Sequence, residues 1–223
     1  MTISSRLLEI KKALPTGVTL VAVSKTKPVE DILEAYQAGQ RIFGENKIQE
    51  MTDKYAVLPR DIQWHMIGHV QTNKVKYMAP FVSLIHAVDS LRLLQEIDKQ
   101  AKRNERVIDC LLQLYIADET TKFGLDETEL DEILASEALK SLKNIRIVGL
   151  MAMATFTKDQ TQIKAEFDHL NAIFKRVQLQ YNTLENASFK ELSIGMSNDY
   201  ITAIDSGSTM IRIGSTIFGS RNY

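Results

Sequence analysis

The feature that most constrains this chain is an alternation. Short apolar runs of strand length, TLVAVS, RIFG, IQWHMIG, SLIHAV, DCLLQLYI, RIVGLMAM, ELSIGM and TMIRIG, recur between longer segments with apolar residues at helical spacing. The spacing of Ile3, Leu7, Ile10 and Leu14, of Val29, Ile32, Leu33 and Tyr36, and of Ile48, Met51, Tyr55 and Leu58 predicts helices with one buried face. Further stripes follow at Leu91, Leu94, Ile97 and Ala101, at Leu130, Ile133 and Leu134, and from Ile163 to Tyr181. Roughly eight strands alternating with roughly eight helices is the pattern of parallel β/α units, not of hairpins. A TIM-type (β/α)8 barrel typically takes about 250 residues with about 200 as its lower bound, and this chain of 223 lies between. A doubly wound open sheet is the alternative, but its glycine-rich turn after the first strand is missing. With no linker, low-complexity tract or charge block, residues 1–223 are expected to form a single α/β barrel domain with an extra N-terminal helix.

Charge and cysteine content narrow the setting. Against 28 acidic residues stand 27 Lys and Arg, so no overall field draws the protein to nucleic acid or an anionic membrane, and any anion site must be local. Cys110 is the one cysteine, so no intrachain disulfide can form and a reducing compartment is expected, with Cys110 in the core. The N-terminus MTISSRLLEIKKALP is amphipathic and unlike a signal peptide. No apolar run reaches the ~18 residues of a membrane span, so the expected location is cytoplasmic.

In such barrels functional groups cluster where strands end and loops begin. The first run ends VAVSKTKP, and alternation places Lys25 on the face of Val21 and Val23, pointing into the barrel. Taken alone, Lys25 reads as a solvated strand-end charge or as a nucleophilic amine at the mouth of a site; Lys27 competes with it and is the more exposed. Pro28 suits the first turn of the next helix. Asn46, in FGEN, reads first as a helix N-cap. His65 and His69 have the i, i+4 spacing of metal ligands, but they straddle a strand and a glycine turn and lack the HExxH glutamate, so no metal is expected. His86 has no obvious partner in the sequence.

The richest segment runs from Gly195 to Gly219, GMSNDYITAIDSGSTMIRIGSTIFG. Ser197 follows strand seven and opens a helix; Gly214, Ser215 and Thr216 follow strand eight and open another. Two helix N-termini side by side, with hydroxyls and a glycine, suit a phosphate group at the strands where barrels often hold one. Arg212, between apolar neighbours, either faces inward and needs an acceptor or faces outward toward a helix. A barrel lysine, a phosphate cradle and an inward arginine together suit a phosphorylated aldehyde, for which pyridoxal 5'-phosphate (PLP) is the candidate.

VAVSKTKP, FGEN, WHMIG, VQTNK, GLMAM, GMSNDY and STMIRIGSTIFG, taken together, resemble the pyridoxal phosphate homeostasis proteins, whose fold is similar to the barrel of bacterial alanine racemase. The resemblance runs from about Thr19 to Tyr223, and GMSxD followed by RIGxxIFG, both after SKTKP, is its most specific part. It implies a fold-type III PLP-binding barrel in which Lys25 forms the internal aldimine and Asn46 lines the cofactor. Ser197, Gly214 and Ser215 would hold the phosphate, with Thr216 close by, and Arg212 would face the pyridine nitrogen. Ser215 stands where threonine is common, and His69 where proline is also frequent, so His69 is given no role.

A guanidinium cannot take a proton from the pyridine nitrogen, so the ring stays unprotonated and is a weak electron sink. Alanine racemases use the same arrangement but take a second base from another domain, and this sequence stops with the barrel at Tyr223. The expectation is a PLP-binding protein, not an enzyme, that carries or buffers PLP through Lys25 and supports vitamin B6 and amino-acid/keto-acid homeostasis. Its expected partners are PLP and apo forms of PLP-dependent enzymes, with no nucleic acid or membrane, and a monomer is expected. The alternatives are a slow racemase or transaminase-like enzyme with Lys25 as single base, and a phosphate-ligand barrel in which Lys25 makes only an ion pair.

Overall fold

The structure, a computed structural model, describes residues 1–116 and 124–219; Tyr223 lies outside them. Eight strands, β1 (Thr19–Val23), β2 (Ile42–Glu45), β3 (Gln63–Met66), β4 (Val82–Val88), β5 (Ile108–Gln113), β6 (Ile145–Met151), β7 (Ala187–Ser193) and β8 (Met210–Ile213), pair in parallel in chain order and close into a barrel. Closure comes from β1 lying on β8, with Val21 opposite Arg212. Parallel pairing requires each strand to return through a crossover, and the helical stripes supply it.

Before β1 comes α1 (Ile3–Ala13), the extra helix; α2 (Val29–Gln37), α3 (Ile48–Val57), α4 (Val75–Met78), α5 (Leu91–Arg103), α6 (Glu127–Ala135), α7 (Glu137–Ser141), α8 (Gln160–Gln180), α9 (Tyr200–Asp205) and α10 (Ser215–Phe218) follow. Ile3, Leu7 and Ile10 of α1 are buried as the spacing requires. The helix is tied to α2 by Ser4 N–H donating to Glu34 Oε1 (2.9 Å) and to α10 by Arg6 Nε–H donating to the Ile217 carbonyl (2.6 Å).

Alternation along the strands sorts side chains into two sets. Val21, Leu84, Leu111, Val148, Met151 and Met210 pack with one another inside the barrel. Leu20, Ala22, Ile85, Cys110, Leu112, Ile147, Ile211 and Ile213 join the larger core shared with the helices. Burial of Cys110 pushes its thiol pKa up, which suits a packing residue. Two backbones meet at Gly149, where a Cβ would lie 1.7 Å from the Glu191 carbonyl oxygen; only glycine allows β6 to lie this close to β7.

Several element boundaries differ from the sequence reading. The ELSIGM strand begins earlier, at Ala187, and stops at Ser193. Pro28 is the N-cap of α2 and not a first-turn residue. The α3 N-cap is Lys47, not Asn46. Asn46 sits one residue too early for its side chain to reach the first amides of α3. Ser197 is three residues ahead of α9, whose N-cap is Asp199.

Candidate functional site

Lys25, Asn46, Ser197 and Gly214 lie at the C-terminal mouth of the barrel. Lys25 follows β1, Asn46 follows β2, Ser197 follows β7, and Gly214 follows β8 and caps α10. Because β7, β8, β1 and β2 are successive staves of the wall, these loops are neighbours in space. The Gly214 N–H donates to Ser197 Oγ (3.3 Å), which joins the two loops. A hydroxyl that accepts there keeps its own proton for an acceptor beyond the wall. Ser215 and Thr216, both exposed, occupy the first turn of α10, where amides lack intrahelical partners. A Cβ on Gly214 would come within 3.3 Å of the Val23 carbonyl oxygen and Cβ, so the glycine lets β8 approach the strand carrying Lys25.

Arg212 faces into the barrel and is buried. Its Nη1 donates to the Ser193 carbonyl and to Ser193 Oγ, both at 2.7 Å, and its Nη2 donates to the Ala152 carbonyl at 3.0 Å. A guanidinium has five N–H donors; Nε–H and one Nη2–H have no protein partner among the described residues. Burial lowers the pKa to about 10, with the Asp199 carboxylate nearby acting the other way, so Arg212 stays charged at neutral pH. Burial also raises the pKa of Asp199. Asp199 Oδ1 accepts from the Met196 N–H and closes the loop that carries Ser197. Asp199, not Ser197, is the N-cap of α9, and its side chain, turned back to Met196, makes no capping bond to that helix.

Behind Lys25 lies a polar cluster that motif reasoning missed. Ser24 Oγ donates to Glu45 Oε1 (2.6 Å), and Lys54 Nζ reaches Glu45 Oε1 (2.8 Å), the Ser24 carbonyl (2.8 Å) and Glu50 Oε1 (2.7 Å). Glu50 Oε1 also accepts from the N–H of Thr26 (2.6 Å), whose φ of 63° is left-handed. A β-branched residue in that region is strained, and the Glu50 bond holds the strain in place next to Lys25. Burial raises the Glu45 pKa while Lys54 pulls it down. The available signal was weak: Lys54 falls three residues after Met51, on the buried face of α3.

The residues at this mouth fit a phosphorylated aldehyde: an amine at the end of β1, hydroxyls and amides at the ends of β7 and β8, and a buried cation with open donors between them. Comparison with known proteins places the chain. The alanine racemase N-terminal domain family matches residues 2–222. The pyridoxal phosphate homeostasis protein of Aquifex aeolicus (strain VF5) is 38% identical over 205 residues, covering 92% of this chain and 87% of the relative. That of Escherichia coli (strain K12) is 37% identical over 213 residues, covering 94% and 88%. The chain belongs to the pyridoxal phosphate homeostasis protein family. PipY of Synechococcus elongatus PCC7942, solved with PLP bound, superposes with a TM-score of 0.89 at 35% identity, covering 98% of this chain and 100% of PipY. Alanine racemase from Bartonella henselae shares the fold at a TM-score of 0.73 and 17% identity.

The remaining residues singled out in the sequence are held by other contacts. His65 is buried and bonded to His86, whereas His69 is half exposed and pairs with Asp89 at 3.3 Å, so the i, i+4 histidines do not converge. Among the described residues no group of three His, Cys, Asp or Glu could hold a metal ion. Lys27 Nζ donates to the Phe218 carbonyl (3.0 Å), tying the Lys25 loop to α10. Asn46 presents its backbone to the β3 loop, where a Cβ on Gly68 would lie 2.3 Å from the Asn46 carbonyl oxygen. Among the described residues no helix is long and apolar enough to cross a membrane.

Proposed function

We propose that this barrel binds PLP covalently through Lys25 and works as a carrier and buffer of the cofactor, in the homeostasis role for which its relatives are named. The observation that carries the reading is the Ser197–Gly214 contact, which makes one cradle of two strand ends beside the strand of Lys25. PLP supplies an aldehyde that condenses reversibly with a primary amine, and the relative PipY was solved with it bound. Ser197, Gly214, Ser215 and Thr216 would hold the phosphate, Asn46 would line the ring, and Arg212 would offer its open N–H groups to the pyridine nitrogen. As a fixed donor, Arg212 leaves that nitrogen unprotonated and disfavours carbanion chemistry at the ring. The bland role of Asn46 as a cap does not arise, which leaves its side chain for the ligand.

In this reading the barrel is a single domain that acts as a cytoplasmic monomer and passes PLP to apo-enzymes that need it. Borohydride reduction of the PLP-loaded protein followed by peptide mass mapping tests the attachment: cofactor mass on Lys25, absent in Lys25→Ala and retained in Lys27→Ala, is expected. Mass elsewhere would overturn it. Carriage is separated from catalysis by incubating the loaded protein with L- and D-amino acids in heavy water. Lysine-dependent loss of the α-proton at enzymic rates would make the protein a catalyst.

A further inference from the structure

A file of hydrogen-bonded side chains runs through the barrel interior from Arg212 toward the opposite mouth. Arg212 Nη1 meets Ser193 Oγ at 2.7 Å, His86 Nδ1 lies 3.1 Å from the same oxygen, and His65 Nδ1 lies 3.0 Å from His86 Nε2. His65 in turn lines a cavity of about 410 Å³ at the N-terminal ends of the strands, with Thr19, Gln63, Asp109 and Arg146. Ser193 and His86 are fully buried. None of His65, His86 and Ser193 is used by the cradle.

We infer that Ser193 and His86 are positioning residues for Arg212: the file has one hydrogen-bond direction, set by the guanidinium, and it clamps the Nη1 edge so that the open N–H groups are presented to the cofactor ring. The direction follows from donor counting. Arg212 can only donate, so Ser193 Oγ accepts from it. The hydroxyl proton then has one remaining partner, His86 Nδ1, which must accept. His86 therefore carries its proton on Nε2 and donates to His65 Nδ1, and His65 carries its proton on Nε2. The reverse order would leave the Ser193 hydroxyl proton buried without an acceptor. Both rings are neutral: burial lowers His65 to about 3 and pushes His86 well below the ordinary histidine value, helped by His65 and Arg212. A chain polarised in one direction strengthens each bond in it, including the anchor on Arg212.

The inference rests on the reading that Arg212 faces the cofactor ring, and two measurements keep the failures apart. Long-range 1H–15N correlation on the cofactor-free wild-type protein reads the tautomers directly and needs no variant. Both rings in the neutral Nε2–H form support the file; a proton on Nδ1 of His86 overturns it. On PLP-loaded protein the absorption spectrum is compared for Arg212→Gln, Ser193→Ala and His86→Gln. The expected result is a shift in Arg212→Gln and a smaller shift in the same direction in the other two, with cofactor mass still fixed on Lys25. A shift in Arg212→Gln alone overturns the positioning role. No shift in Arg212→Gln overturns the placement of Arg212 against the ring and with it the inference, whatever the tautomers.

Discussion

Replacing Lys54 by Met is the sharpest test of how the Lys25 loop is held. The ammonium bonds to Glu45, to Glu50 and to the Ser24 carbonyl, and the side chains of Lys54 and Glu45 are 8% and 0% exposed. Removing one partner of a buried pair costs about 3–5 kcal/mol, because the other charge is left uncompensated. The structure caps that cost, since Glu45 can escape by taking up a proton. From its ordinary value of 4.5, neutralising a carboxyl at pH 7 costs about 1.36 × 2.5, or ~3.4 kcal/mol, and at pH 5.5 only ~1.4 kcal/mol.

The sign follows from linkage. A carboxyl whose folded pKa is raised binds more protons folded than unfolded, so stability is lost as pH rises through the window above 4.5. Lys54 now opposes that shift; without it the window extends across neutral pH. Because the raised Glu45 pKa already carries part of that cost in the wild type, urea unfolding followed by circular dichroism should show Lys54→Met destabilised by at most ~3.4 kcal/mol at pH 7, a ceiling of roughly 7–14 °C in Tm for a domain of this size. The deficit should shrink by more than half at pH 5.5. Glu45→Gln in the same background should remove the pH dependence. A loss below about 1 kcal/mol that is the same at both pH values would refute the argument that a buried carboxylate is being held by Lys54.

Gly68→Ala places a Cβ 2.3 Å from the Asn46 carbonyl; backbone cannot yield as a side chain can, so a loss of about 1–3 kcal/mol with weaker PLP binding is expected, and wild-type values for both would refute the contact. Ser197→Ala removes the acceptor for Gly214 N–H and should weaken PLP binding about fivefold, near 1 kcal/mol, without changing the spectrum of the bound form; isothermal titration and absorbance check it. His65, held near 3 when folded against an ordinary 6.5, contributes stability that is intact above 6.5 and lost as pH falls toward 3. At pH 5 the loss is ~2 kcal/mol; His65→Asn should flatten the dependence of the urea midpoint on pH, and an unchanged slope relative to wild type would count against it.

The strands and helices were legible because their signals are local. Period-two alternation through Met210–Ile211–Arg212–Ile213 even assigns Arg212 to the inner face once a barrel is accepted. The strand-end rule found Lys25, Ser197 and Gly214 because it needs only the end of each apolar run. What it could not find are residues defined by partners. Glu45 passes for a strand-end acid until Ser24, 21 positions earlier, is seen donating to it. His86 passes for an isolated histidine because Ser193 is 107 positions away. The cap expected at Asn46 failed because α3 starts one residue later, at Lys47, where the Asn46 backbone packs against Gly68 of the β3 loop, 22 positions on.

The same distinction yields a last prediction. Glu45 Oε2 is buried without a hydrogen-bond partner, so the Glu45–Lys54 pair is not one that stability alone would select. A buried ion pair is often replaced by apolar residues with a gain of about 1–4 kcal/mol, and Glu45→Leu with Lys54→Met fills the same space without charge. If the pair is kept to hold the loop of Ser24, Lys25 and Thr26, the double variant should unfold at the wild-type temperature or above it and yet release PLP faster. The strained φ at Thr26 depends on Glu50, and Glu50 loses the ammonium that orients it. Stopped-flow transfer of PLP to an excess of a scavenging amine gives the release rate, and calorimetry gives the melting temperature. An unchanged release rate in a variant of raised stability would show that the pair does not serve the site.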